Sequence, residues 1–119
     1  IYTLSLHDAL PILELEDGYR VLIDRLWARG ITKEEAQLDE WNKDLAPSNE
    51  LRKWFHEDSI NRWEAFVQKY NAELKTNSSA VEDFLTRVKD QQKVTLVFAA
   101  KDEQHSQAPI LRDYLNHIL

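Results

Sequence analysis

Apolar positions along the chain follow two kinds of spacing. Two short apolar runs are typical of strands buried on both faces: Val21-Leu22-Ile23, and Val94 with Leu96-Val97-Phe98. They predict strands over 19–26 and 93–99, the first entered through the turn signal Glu16-Asp17-Gly18. Elsewhere apolar residues recur every three or four positions, which predicts amphipathic helices. The predicted helix starts are Lys33, Ser48, Asp58 or Ser59, Ser78 or Ser79, and about Ser106.

One shorter stretch also has helical spacing. Leu38, Trp41 and Leu45 lie at i, i+3 and i+7, which predicts a helical turn or two before Pro47 ends it. The resulting order is strand, several helices, strand, helix. Since a long helical crossover is how parallel strands are joined, we predict an α/β fold: a small single domain whose short, mainly parallel sheet is flanked by helices on both faces.

Residues 3–12 differ in character from the rest of the chain. They read Thr-Leu-Ser-Leu-His-Asp-Ala-Leu-Pro-Ile, which resembles one forward translation of a common sequencing adapter. We therefore expect 1–12 to be a non-native segment and 13–119 to form the single α/β domain. Two strands are few for a sheet, so we expect a native N-terminal strand to be missing or replaced, which would leave a sheet edge open to self-pairing.

Composition narrows the classes of function. The 119 residues carry a net charge of −6, which argues against general nucleic-acid binding. The chain has no cysteine, which excludes disulfides, thiolate metal sites and cysteine nucleophiles. Its two glycines cannot supply a glycine-rich phosphate loop, and no histidine spacing indicates a metal site, so we predict no cofactor and no metal. No apolar run is long enough for a membrane span, and the cytoplasm is the default compartment. The oligomeric state is left open.

Charged residues follow both predicted strands. The segments 24–30 and 99–105 would meet at one edge of the sheet if the strands are parallel neighbours, and open α/β sheets bind ligands at that edge. Arg25, Arg29 and Lys101 are candidate ligands for a small anion, possibly phosphorylated, and Trp27 could offer a planar wall. For each residue alone, the alternative is a solvated ion pair or, for Trp27, a place in the core.

Catalysis is a second reading of the same segments. His105 could act as a general acid or base near neutral pH, with Asp102 orienting it. The alternative is that Asp102 or Ser106 caps the last helix and His105 lies on the surface. A different class of function is a non-catalytic interaction domain that binds a partner through Trp41, Trp54 and Trp63, since aromatic residues anchor interfaces.

Three stretches carry a resemblance to a known family: GYRVLIDRLWARG, LAPSNELRKWFHED and VTLVFAAKDEQHSQA. Over about a hundred residues the chain resembles the YeaO-like branch of the domain-of-unknown-function family 488. The resemblance implies a small bacterial α/β protein and no established activity. The chain departs from the family's pattern at Ala28, where proline is usual, and at 105–108, where the family tends to read His-Asn-His or His-Asn-Gln before alanine. The family's opening strand is also absent.

Overall fold

A four-stranded sheet and four helices make up the part of the chain that the structure describes. The computed structural model describes residues 2–5, 18–27, 30, 32, 34, 37–91, 93–99 and 105–118. The elements, in chain order, are β1 (Tyr2–Ser5), β2 (Tyr19–Leu22), β3 (Glu40–Trp41), a 3-10 turn (Lys43–Leu45), α1 (Asn49–Glu57), α2 (Ser59–Thr76), α3 (Ser78–Val88), β4 (Val94–Phe98) and α4 (Gln107–Ile118).

The predicted pairing of the two buried strands is confirmed. The sheet order is β1-β4-β2-β3, and β2 runs parallel to both β4 and β3. Val21 lies opposite Leu96 in the β2–β4 ladder. The carboxyl ends of β2 and β4 therefore lie side by side, and the α/β fold is the one the sequence predicts.

Gly18 allows β2 to begin beside β4. Its backbone takes a φ of +70°, and a Cβ at this position would lie 2.3 Å from the Lys93 carbonyl oxygen. The next residue, Tyr19, donates its backbone N–H to that same oxygen at 3.0 Å. Any side chain at 18 would push the two strands apart at the start of their ladder.

The core joins the sheet to all four helices. Every residue of β4 is buried, as are Val21 and Leu22 of β2. Each helix contributes an apolar face at the predicted spacing, and α1 begins as predicted with the Ser48 hydroxyl accepting from Leu51 N–H at 3.1 Å. The helical core residues are Leu51, Phe55, Phe66, Tyr70, Leu74, Val81, Phe84, Val88, Ala108, Ile110, Leu111 and Leu115. In the described part of the chain, no helix is long and apolar enough to cross a membrane.

The predicted helical turn over 38–45 is wrong in its first half. Glu40 and Trp41 form β3, and only 43–45 are helical. Backbone pairing with β2 explains the difference, because Asp39 N–H donates to Arg20 O and Asn42 N–H to Leu22 O, both at 2.9 Å. These bonds satisfy backbone groups that a helix would have to pair internally. The predicted start of a helix at Lys33 lies outside the described residues.

The N-terminal edge of the sheet is occupied. β1 pairs antiparallel with β4 along four residues, Tyr2 opposite Phe98 through Ser5 opposite Thr95. These residues overlap the adapter-like segment, so in this structure the edge position is filled by 2–5. The expected open edge on β4 is thus covered by β1.

Candidate functional site

A cleft of about 840 Å³ opens where β2 and β4 end. The chain after β2, the N-terminal region of α4 and one face of α1 and α2 enclose it. Its wall combines cationic, acidic and aromatic side chains. The lining residues are Asp24, Arg25, Leu26, Trp27, Pro47, Arg52, Phe55, His56, Ser59, Ile60, Trp63, Phe66, Ala99, His105, Ser106 and Gln107.

Asp24 fastens together the elements that meet at the cleft. Its carboxylate accepts a hydrogen bond from Ala99 N–H at 2.7 Å and another from the Gln107 side-chain amide. The carboxylate therefore joins the end of β2 to the end of β4 and to α4. Only 9% of the residue is exposed. Burial raises the pKa of Asp24 to about 6, although both hydrogen bonds act in the opposite direction.

Arg25 reaches the cleft wall beside the segment that precedes α1. Its Nε donates to Pro47 O at 3.0 Å, and one terminal nitrogen lies 3.4 Å from Ala46 O. Among the described residues these two carbonyls are its hydrogen-bond partners, and neither carries a formal charge. The guanidinium is thus held in place while its charge is not offset by a described carboxylate.

Arg52 brings a second guanidinium to the cleft from α1. Its Nε is buried, and within the described ranges it has no hydrogen-bond partner. Arg52 is not among the candidate residues that the sequence suggests. On α1, Arg52, Phe55 and His56 lie at i, i+3 and i+4, and all three line the cleft.

Aromatic rings form the wall below the polar groups. Phe55 and Phe66 stack with centroids 4.2 Å apart, and Trp63 lies 6.0 Å from each of them. His105 meets Trp63 edge-on at 4.9 Å with the ring planes at 90°. The imidazole is exposed, so it stands at the opening of the cleft.

The rim of the cleft is apolar and open to solvent. Ile60 is 90% exposed and Leu26 is 57% exposed, and both line the cleft. Half-buried Trp27 also lines it, and packs edge-on against Trp41 at 5.3 Å. Large exposed aliphatic side chains beside an aromatic wall extend the apolar surface that a ligand would meet.

The structure brings together three of the six residues selected from the sequence. Arg25, Trp27 and His105 all line the cleft. The other three, Arg29, Lys101 and Asp102, lie outside the described residues. The roles assigned to all six, as ligand-binding or catalytic residues, stay predictions.

The tryptophans of the interaction-domain hypothesis occupy three different environments. Trp41 lies in β3, is 38% exposed, and donates its indole N–H to Asp24 O at 2.7 Å. Trp54 packs on the core with Arg62 and Lys69 over its ring. Trp63 belongs to the cleft wall. The three side chains do not form one aromatic face, because each serves a different contact.

Fold and cleft together define a small α/β protein with a ligand-sized cleft at the carboxyl ends of two parallel strands. A family model described as the inactive DUF488-N3 subclade (DUF488-N3i) matches residues 4–119, and the chain belongs to this family. The resemblance drawn from the sequence motifs is thereby confirmed.

Curated relatives of the chain come from bacteria. The uncharacterised protein YeaO of Escherichia coli (strain K12) is 40% identical over 105 residues, which cover 88% of this chain and 90% of that protein. The uncharacterised protein Rv3073c of Mycobacterium tuberculosis (strain ATCC 25618 / H37Rv) is 36% identical over 104 residues, which cover 87% of this chain and 86% of that protein. The comparison with solved structures found no significant match.

Proposed function

We propose that this protein binds a small anionic ligand, a carboxylate or a phosphate ester, in the cleft at the ends of β2 and β4. The observation that carries the proposal is the pair Arg25 and Arg52, which present guanidinium groups to one cleft without a described carboxylate bound to either. Guanidinium groups suit planar, bidentate recognition of carboxylate and phosphate. The edge beyond the carboxyl ends of parallel strands is also where open α/β sheets hold ligands.

The proposal is one of binding rather than turnover. The family's description as an inactive subclade supports this choice. Acid–base catalysis by His105, with Asp102 orienting it, stays a prediction and is not needed for binding. The proposal requires no cofactor or metal, and it keeps the cytoplasmic location predicted from the sequence.

A thermal-shift screen tests the proposal. The panel contains inorganic phosphate, sugar phosphates, nucleotides and carboxylates, each run with the wild type, Arg52→Gln and Arg25→Ala. A ligand present at a hundred times its dissociation constant should add about 2.7 kcal/mol to the free energy of unfolding. We expect at least one anion to raise the melting temperature of the wild type and to lose that effect in both variants.

Lys53→Gln is the matched control, because Lys53 neighbours Arg52 on α1 but is exposed and outside the cleft lining. It should respond to the anion as the wild type does. If a cooperatively melting wild type responds to no anion, or if Lys53→Gln loses the response as fully as Arg52→Gln, the cleft is not the binding site. The first of those results would favour the interaction-domain hypothesis.

A further inference from the structure

The charges of the cleft limit how many acidic groups its ligand carries. Among the described lining residues, Arg25 and Arg52 supply two positive charges and Asp24 supplies one carboxylate. That carboxylate is buried at the floor of the same cleft. An acidic group placed near Asp24 would be repelled by its carboxylate, and the repulsion is stronger at low dielectric. The balance favours a ligand with a single acidic group.

The remaining lining residues of the cleft indicate the chemical nature of the rest of the ligand. Half-buried Trp63 presents an aromatic surface that the buried stacked pair Phe55 and Phe66 supports from behind, and Ile60 and Leu26 extend it to the rim. A sugar or other polyol would find hydrogen-bond partners only at the polar lining residues such as Ser59 and Gln107, since the aromatic surface itself offers none to its hydroxyl groups. A flat ring would instead gain both apolar burial and ring contacts.

We propose that the ligand is an aromatic acid: a flat ring system against Trp63 and the rim residues Ile60 and Leu26, with one carboxylate or phosphate group at Arg25 and Arg52. This inference rests on the proposed function, because it specifies the ligand of the same cleft. It adds a chemical class, and it distinguishes that class from polyol acids such as sugar phosphates.

Two matched series of probes test the inference by calorimetric titration. The first compares naphthoate with acetate and gluconate, and the second compares naphthyl phosphate with inorganic phosphate and glucose phosphate. In at least one series, the ring-bearing acid should bind roughly tenfold tighter than both its partners, the gain expected from burying a flat ring against aromatic side chains. The series in which this occurs identifies the acidic group.

Variants separate the ring contact from the charge contact. Ile60→Ser and Trp63→Leu should weaken binding of the aromatic acid and leave the small acid of the same series unchanged, whereas Arg52→Gln should weaken both. Ile60→Ser alone suffices if Trp63→Leu fails to fold, because a side chain that is 90% exposed contributes little to the core. Ile118→Ser, at a residue 45% exposed on α4 and outside the cleft lining, should bind as the wild type does.

The possible results distinguish failure of the aromatic-acid proposal from failure of the anion-binding proposal. Equal or tighter binding of gluconate and glucose phosphate, with the Arg52→Gln effect intact, would overturn the aromatic ligand and leave the anion site standing. A ring preference that Ile60→Ser and a folded Trp63→Leu both retain would place the ring elsewhere and would also overturn the inference. If no acid of either series binds, the proposed function fails with it.

Discussion

Asp24 links the stability of the fold to the chemistry of the cleft. Its buried carboxylate joins the ends of β2 and β4 to α4, because it accepts hydrogen bonds from Ala99 N–H and from the Gln107 side chain. Burial raises its pKa from the ordinary value of 3.8 to about 6. Ionisation of this buried carboxylate at neutral pH therefore lowers the free energy of unfolding.

The first prediction concerns the pH dependence of stability. Between pH 4 and pH 6 the unfolded chain loses the Asp24 proton while the folded chain keeps it, so rising pH favours the unfolded state through this group. Asp24→Asn removes the titration. The free energy of unfolding of the variant minus that of the wild type should therefore rise by about 2.4 kcal/mol between pH 4 and pH 7. Urea denaturation of both proteins across this range measures the difference, and a difference that stays flat or falls would contradict the raised pKa.

Residue types in the sequence indicated some of the site but not its arrangement. Arg25, Trp27 and His105 were selected because they follow buried strands, and the parallel pairing of those strands does bring them to one cleft. Asp24 lies in the segment 24–30 but is not among the candidates that the sequence suggests, because its importance depends on the position of Ala99 N–H and Gln107. Arg52 was missed because the lack of a partner for its Nε is a property of the packed protein.

At the scale of elements, β3 illustrates how contacts override local periodicity. Backbone pairing to β2 holds this two-residue strand at the sheet edge. The side chain of its first residue, Glu40, also binds Arg87 of α3. The guanidinium reaches the carboxylate at 3.0 and 2.9 Å, a bidentate geometry. Burial disfavours the charge of Glu40, but hydrogen bonds from Arg87, Tyr19 and Asn42 outweigh it and hold its pKa below the usual value. Two of these partners, Arg87 and Tyr19, are distant in sequence from the apolar residues that predicted a helix.

Loss of the Arg87 contact should loosen β3 specifically. Arg87→Met removes both hydrogen bonds to Glu40, and because the arginine is exposed we expect a cost of only about 0.5–1 kcal/mol in global stability. Amide hydrogen exchange should quicken at 39–42 more than in β4. Lys89→Met, an exposed position just past the end of α3, is the control and should leave exchange at β3 unchanged. Unaltered exchange at 39–42 in Arg87→Met would show that β2 alone holds the strand.

At the scale of the whole molecule, the architecture follows from the sequence because its strongest signals, the two buried strands, determine how distant parts of the chain pair. Two buried strands separated by helices can pair in parallel with a crossover of that length, and they do. The N-terminal edge was harder to foresee. Residues 2–5 were set aside as adapter-like, yet they form β1 against β4. Backbone hydrogen bonding to an edge strand requires little of the side chains, so an extended segment can fill the position whatever its side-chain pattern.

The most direct test of the central claim is to locate an anion on the folded protein. A titration with naphthyl phosphate, followed by two-dimensional amide NMR on isotope-labelled protein, reports where binding occurs. We expect saturable shifts at 24–27 and at the other residues that line the cleft, among them Arg52, Phe55, Ala99 and Gln107. Shifts that cluster instead around Lys43 and Arg87, on the surface beside β3, would contradict this claim.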